Sequence, residues 1–389
     1  MIDRRTVVCL GLSQLICWGI SYYLIGGFGA AIGDELGWSK DLVYGGLSEA
    51  LLVMGLLSAP IGRMIERHGG RPMMSAGSLV TAVGCVVLAL SHDVVSYYVA
   101  WAVLGVAMRL TLYDAAFASL ARIGGAAAKR PIAQITLLGG LASTVFWPIG
   151  NALAEQLGWR GAVLVYAAIA IATLPLHLAI PRGRYGDAGQ PAGEAAPPPR
   201  TKDRQDRIVA AALYLVIATI ANFLNSAMSA HMIGILGGLG LGAAVAVWIS
   251  TLRGIGQSLA RLADVLFGRN LSPMRLNLVA CSVLPACFVA GLYSNEAAFA
   301  AIFFAFVYGA GNGIVTITRG TLPLVLFDPR SYGSLVGRLL VPSFLLSAGA
   351  PLAYAAIIDR FGYAAALHVS TGLACAMLLA AIVLAVRYR

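Results

Sequence analysis

Met108-Arg109-Leu110-Thr111-Leu112-Tyr113-Asp114 places an arginine inside an apolar run that extends from Val94 to about Ala121. An ionised guanidinium in hydrocarbon costs roughly 2.5 to 3.5 kcal/mol even on insertion scales, so such a residue belongs in a bundle interior or a wet cavity. Its short signature, Arg-x-Thr-Leu, returns at Arg319-Gly320-Thr321-Leu322. Two copies at matching places predict a duplicated machine with one cavity.

The rest of the chain fits that frame. Of its 389 residues, 59% are apolar and only 11% charged, too greasy for a soluble domain. A helix needs about 20 apolar residues to cross roughly 30 Å of hydrocarbon. Such runs fall at about Val7 to Ile32, Leu42 to Ile65, Pro72 to Leu90, Val94 to Ala121, Pro131 to Leu157 and Trp159 to Ile180, then at Ile208 to Leu236, Ala243 to Leu266, Leu276 to Tyr293, Ala297 to Phe327, Ser334 to Ile358 and Tyr363 to Val386. The runs are too long, and not alternating enough, for the strands of a membrane barrel. The first follows Arg4 and Arg5 as a signal peptide would, but its length and the absence of a clear cleavage site predict a retained first helix. Pro181 to Arg207 carries Pro, Gly, Ala, Arg and Asp without apolar periodicity and reads as a mobile linker. The expectation is an all-α polytopic membrane protein of twelve transmembrane helices in two pseudo-symmetric six-helix bundles, residues 1–180 and 208–389, joined by a basic cytoplasmic linker over 181–207.

Charge sets the orientation. With the N-terminus in the cytoplasm, only Lys40, Arg160 and Arg360 of the 27 Lys and Arg fall outside, and Arg109, Arg253, Arg261, Arg319 and Arg338 fall within spans. The remainder lie on the inner side, which predicts both termini in the cytoplasm of a cell inner membrane. The net charge of +10 is scattered over short loops, as topology and anionic lipid contact require, and is not a nucleic-acid footprint. The six cysteines all lie in apolar runs without metal-ligand spacing. No Ser/His/Asp array or phosphate loop is present, so an enzyme and a bound cofactor are not expected, and Gly237-Gly238-Leu239-Gly240 lacks the strand a nucleotide loop needs.

One junction carries a resemblance. Gly62-Arg63-Met64-Ile65-Glu66-Arg67-His68-Gly69-Gly70-Arg71 resembles the loop 2-3 signature of the major facilitator superfamily, with Glu66 where that family usually has Asp. Ala260-Arg261-Leu262-Ala263-Asp264-Val265-Leu266-Phe267-Gly268-Arg269 is a weaker copy in the second half, and Gly158-Trp159-Arg160 between spans 5 and 6 fits as well. Ala230-His231-Met232-Ile233 and the general layout are similar to the monocarboxylate and oxalate/formate porter branches, although Trp18-Gly19-Ile20-Ser21-Tyr22-Tyr23 departs from the acidic signature those branches carry in span 1. The resemblance implies two halves rocking about a midplane site, with spans 1, 4, 7 and 10 lining the cavity. It also implies gating residues: Gly62, Glu66, Arg67, Gly69 and Arg71 in the signature, Arg261 and Asp264 in its copy, and Arg338 at the start of span 11. In that family the acids meet helix N-termini, here of spans 11 and 5, whose dipoles favour negative charge.

The remaining candidates come from the spans themselves. Trp101, Gly105, Arg109 and Tyr113 recur every fourth position and share one face of a continuous helix, our first expectation for a cavity lining. Asp114, five residues on, then points away from Arg109 toward another helix, although an interhelical ion pair with Glu49 or Asp114 remains an alternative. Arg253 and Arg261 form a cationic stripe in span 8, and Pro323 predicts a kink near Arg319. Glu49, Asp114 and Asp264 oppose five intramembrane arginines, so the interior is expected to be positive. Guanidinium forks suit oxyanions. The expected substrate is a small anion, carboxylate-like, bound by Arg109, Tyr113, Arg319, Arg253, Asn222, Tyr22 and Trp18. Proton-coupling candidates are His231, Asp114 and Glu49, the imidazole and two carboxyls that the spans hold. The expectation is a monomeric secondary transporter run by a proton or anion gradient. Its rivals are an efflux carrier for drugs or trivalent metalloids using Trp18, Tyr22 and Cys17, and a non-transporting membrane sensor.

Overall fold

The computed structural model describes residues 2–185, 198–268 and 271–388. Residues 186–197 of the expected linker, Arg269 of the second-half signature and the terminal Arg389 lie outside the described residues. Among the described residues the chain is helical without a strand. The helices are α1 Arg4–Cys17, α2 Leu24–Leu36, α3 Lys40–His68, α4 Gly70–Ala89, α5 Val94–Thr111, α6 Tyr113–Gly124, α7 Lys129–Gly140, α8 Ala142–Ala172, α9 Leu174–Leu178, α10 Arg204–Gly238, α11 Ala243–Phe267, α12 Pro273–Leu292, α13 Ala298–Leu326, α14 Tyr332–Phe361 and α15 Tyr363–Arg387.

Among the described residues, nine helical stretches are long and apolar enough to cross a membrane. One of them, Val94–Leu178, is 85 residues long and holds three of the expected spans. It is divided at Leu112, and again inside α8 at Gly158, which adopts φ 69°. α11, which carries Arg253, Arg261 and Asp264, is not among the nine. Local chemistry starts the helices: Asp3, Ser39, Asp93, Asp203 and Ser272 each accept an amide N–H of the first turn they precede. Such caps satisfy donors that a helix N-terminus leaves open.

The chain divides into two compact units: residues 1–197 with 329–341, and residues 198–328 with 342–389. In the first, α5 packs on α3 and α4, α4 also on α8, and α1 on α7. In the second, α13 packs on α11 and α12, and α15 on α10 and α12. The pairing of α5 with α3 and α4 is thus repeated by α13 with α11 and α12. The end of the linker is fastened inside the second unit, where the Arg200 and Thr201 amides donate to the Val325 and Leu326 carbonyls.

Candidate functional site

In the first unit the expected continuous fourth span is broken. Leu112 takes an extended conformation (φ −78°, ψ −174°), ending α5 and starting α6. On an unbroken helix, residues five apart lie about 140° apart. The break removes that separation, and Arg109 Nη1 stands 3.8 Å from Asp114 Oδ2. The expectation that Asp114 points away from Arg109 is therefore corrected. Arg109 occupies the last turn of α5 and Asp114 the first turn of α6, the two ends whose dipoles favour those charges. Arg109 Nη2 also donates to the Ser58 carbonyl at 3.2 Å, and Gln14 Nε2 donates to the Thr111 carbonyl at 2.8 Å, beside the break. Arg109 and Asp114 are buried.

The Trp101 and Gly105 part of the expected lining face is instead a seam with α3. Trp101 is buried against Gly46, and a Cβ on Gly105 would come 2.7 Å from the Ala50 carbonyl oxygen. Tyr113 has turned from that face: its hydroxyl donates to the Thr136 carbonyl at 3.0 Å, and its ring lies 4.9 Å from Trp18 and 5.4 Å from Phe117. Trp18 opens a π-helical turn, Trp18–Tyr22, that joins α1 to α2. Such turns recur at functional positions in helices. This one stacks Trp18 at 5.0 Å from Tyr22, with Tyr23 and Trp147 completing an aromatic cluster. Glu49 sits half-buried on α3, and its Oε2 is buried with no hydrogen-bond partner among the described residues.

The signature residues also meet in the first unit. Glu66 Oε2 accepts the Ser334 N–H at 2.9 Å, in the first turn of α14. Gly62 allows the approach, since a Cβ there would stand 2.2 Å from the Gly333 carbonyl oxygen, a backbone atom that cannot rotate away. Gly69 turns the chain between α3 and α4 with φ +88°. Arg67 is exposed, Arg71 is half-buried, and exposed Arg338 donates to the Ser334 carbonyl at 3.2 Å. Arg122, read from sequence only as a loop charge, binds the Glu66 carbonyl at 3.0 Å and the Arg182 and Gly183 carbonyls at 3.2 and 3.0 Å.

In the second unit α10 presents two asparagines to two arginines. Arg319 Nη1 donates to Asn222 Oδ1 at 2.7 Å, and Asn222 Nδ2 donates to Ser343 Oγ at 2.7 Å. One turn on, Arg253 Nη2 donates to Asn225 Oδ1 at 2.7 Å and to Ser229 Oγ at 2.9 Å. Asn312 Nδ2 donates to the same Asn225 oxygen at 2.9 Å. Glycines bring these helices close enough: Cβ atoms on Gly309 and Gly313 would lie 2.0 and 2.7 Å from the Arg253 and Gln257 carbonyl oxygens. α13 is one helix through Arg319 and Pro323; Pro323 has no N–H to offer the Arg319 carbonyl, which accepts the Tyr214 hydroxyl at 2.9 Å instead. His231 Nε2 bonds the Pro351 carbonyl at 2.8 Å, and its ring lies 6.4 Å from Tyr354. Arg261 is 2% exposed, with Nε 3.5 Å from the Gly313 carbonyl, and half-buried Asp264 follows it on α11.

Several of these partners were not anticipated from sequence. Asn312 lies seven residues before Arg319, two helical turns along the same face, and that spacing could have found it. Gln14, a polar side chain within an apolar run, carried a similar signal. Ser58 and Ser229 carried none, because small hydroxyl residues are common in membrane helices.

Comparison with known proteins agrees with this architecture. The family profile described as Major Facilitator Superfamily matches residues 10–341. Monocarboxylate transporter 11 of Mus musculus is 25% identical over 188 residues, 47% of this chain and 40% of that protein. Its Homo sapiens counterpart is 25% identical over 179 residues, 44% of this chain and 38% of that protein. The chain thus matches less than half the length of these relatives. The crystal structure of the human organic anion transporter MFSD10 (TETRAN) superposes with a TM-score of 0.72 at 16% identity, covering 97% of this chain and 99% of that one. The proton:xylose symporter XylE, bound to 6-bromo-6-deoxy-D-glucose, gives 0.76 at 10% identity, covering 96% and 94%. With the family matched across most of its length and the fold shared with solved transporters, the chain belongs to the Major Facilitator Superfamily and is a multi-pass membrane transporter, not an enzyme.

Proposed function

We propose that the chain is a secondary transporter that moves a small, carboxylate-like anion by alternating access, driven by a proton or anion gradient. The observation that carries this reading is the ladder on α10, where Asn222 grips Arg319 and Asn225 grips Arg253. Guanidinium groups match carboxylate geometry, and positive potential in a low-dielectric site concentrates anions. The names of two similar proteins, a monocarboxylate transporter and an organic anion transporter, point to the same chemical class. In this reading Arg253, Arg319 and Asn222 of the second unit bind the anion, and the Trp18, Tyr22 and Tyr113 cluster is the first unit's own candidate surface for a solute. Arg109 keeps its place among the candidates but works through Asp114, which it holds at the break in the fourth span.

Glu49 is the preferred proton carrier of the three candidates, because Asp114 meets Arg109 and His231 bonds Pro351, whereas Glu49 Oε2 is buried with no hydrogen-bond partner among the described residues. Gating falls to Glu66 with Gly62, Arg67, Gly69, Arg71 and Arg338, and to Arg261 and Asp264 in the second-half copy. The protein acts as a monomer in the inner membrane with both termini cytoplasmic. An efflux carrier for planar drugs is the second reading, favoured by the aromatic cluster around Trp18. The metalloid version of that reading draws no such support, since no three His, Cys, Asp or Glu side chains converge among the described residues.

Uptake into proteoliposomes tests the proposal. Labelled monocarboxylates should accumulate under an inward proton or anion gradient, and Arg319→Gln or Arg253→Gln should abolish uptake. Accumulation of a lipophilic cation that survives both substitutions refutes the anion reading.

A further inference from the structure

Arg253 differs from the arginines that meet a carboxylate in the company it keeps. Its Nη2 donates to Asn225 Oδ1, Ser229 Oγ and, at 3.4 Å, the Asn225 carbonyl, and its guanidinium carbon lies 5.4 Å from the centre of the Tyr308 ring. Each of these partners is neutral. Among the described residues no carboxylate stands within salt-bridging distance of Arg253, whereas Arg109 has Asp114, Arg160 has Glu35 and Arg387 has Asp206. The group is half-buried on a helix of the membrane domain, and its charge is held in position without being cancelled.

Asn225 decides this. A guanidinium only donates, so the Asn225 atom facing it is the oxygen. Asn312 Nδ2 donates to that same oxygen at 2.9 Å, fixing the amide from a second side. An aspartate has the same shape and would accept both bonds, more strongly for being charged. The chain places an amide there instead.

We infer that Asn225 is the specificity-determining residue of this site: by positioning Arg253 without neutralising it, Asn225 makes the site accept monoanions and turn away zwitterions such as 2-amino acids. The inference rests on the proposed reading of the α10 ladder as the substrate site. A monoanion supplies the one negative charge that Arg253 lacks among its neutral partners. A zwitterion brings an ammonium as well, and around Arg253 that ammonium meets neutral groups and a like charge. With aspartate at 225 the balance reverses, because the carboxylate at that position neutralises Arg253 and a net-neutral solute becomes the better match.

The test uses the purified full chain and three matched pairs: pyruvate and alanine, phenylpyruvate and phenylalanine, octanoate and 2-aminooctanoate. Binding is read as ligand-dependent thermal stabilisation. The wild type should be stabilised by acids and not by their 2-amino counterparts. Asn225→Asp should bind the acids about tenfold or more weakly, as expected when an opposing charge occupies the site, and should narrow or invert the preference. Asn225→Ala leaves Arg253 unneutralised and should keep the preference for acids, which keeps the inference testable if the aspartate variant does not fold. Equal stabilisation of the wild type by both members of a pair overturns the inference, as does an Asn225→Ala protein that loses the preference, or an Asn225→Asp protein with unchanged acid affinity. Failure of every acid to stabilise the wild type, or acid binding indifferent to Arg253→Gln, overturns the parent reading and the inference with it.

Discussion

Hydrogen exchange at the start of α14 reads the Glu66 contact directly. The Ser334 N–H donates to Glu66 Oε2 at 2.9 Å, in a first turn where amides lack intrahelical acceptors. Glu66→Ala removes a bond to a charged acceptor, worth about 1.5 to 3 kcal/mol. If the amide exchanges by local opening, that loss accelerates exchange across residues 329–341 by roughly 10- to 150-fold. Glu66→Gln keeps an oxygen but loses its charge at a helix N-terminus, a loss of about 0.3 to 1 kcal/mol, or roughly two- to fivefold. Gly62→Ala acts from the other side. Its Cβ would stand 2.2 Å from the Gly333 carbonyl oxygen, and reaching ordinary contact requires the two backbones to part by ~1 Å. Because Gly62 precedes Glu66 by one helical turn, that separation should break the Ser334 bond too and match or exceed the effect of Glu66→Ala. Mass-spectrometric exchange in detergent, with peptides covering 329–341, gives the ranking. Unchanged protection in both Glu66→Ala and Gly62→Ala refutes the reasoning, and an effect of Glu66→Gln as large as that of Glu66→Ala refutes the division between bond and charge.

Other expectations follow from the broken fourth span and its cap. Gln14→Leu leaves the Thr111 carbonyl without the donor that reaches it at 2.8 Å, and should lower stability by about 1 to 3 kcal/mol in denaturant titrations. Arg109→Ala or Asp114→Ala alone strips one charge of a buried pair, for a loss of about 3 to 5 kcal/mol, whereas an Arg109→Met, Asp114→Leu double variant should recover most of it. A double variant no better than the singles would show that the pair is not what couples them. At the start of α5, the Ser96 backbone and hydroxyl hydrogen bonds, followed by the Val95 amide, hold the Asp93 carboxylate below its ordinary range. A depressed carboxylate contributes stability above its unfolded value, near 3.9, and loses that contribution as pH falls through the folded value. Protection of the Val95 and Ser96 amides, taken relative to their intrinsic exchange rates, should therefore fall in acid in the wild type and lose that dependence in Asp93→Asn.

Much of the architecture was legible because hydrocarbon imposes simple demands. Runs of about 20 apolar residues, separated by short polar loops, already mark out most of the helices. The repeat of Arg-x-Thr-Leu located both halves of the polar interior, and the Gly62 to Arg71 signature located the Glu66 contact. Asn222 and Arg319 were each visible as polar anomalies. That they bond one another was not, since their partnership depends on how α10 and α13 pack.

The two copies of Arg-x-Thr-Leu mark where sequence stops deciding. At Leu112 the chain leaves the helix, and at Leu322 the same local sequence continues it. Breaking a helix in an apolar environment exposes amides and carbonyls that need partners. In the first copy Gln14, from α1, supplies a donor beside the break, and Asp114 and Arg109 settle at the two new helix ends. In the second copy the Arg319 carbonyl accepts the Tyr214 hydroxyl at 2.9 Å while α13 stays whole. The sequence by itself determined that each half carries an arginine within an apolar run, one residue before a Thr-Leu pair. Which arginine receives a carboxylate and which a neutral amide was decided by tertiary structure, because only the packing of distant helices brings up the groups that satisfy a broken backbone or a buried charge.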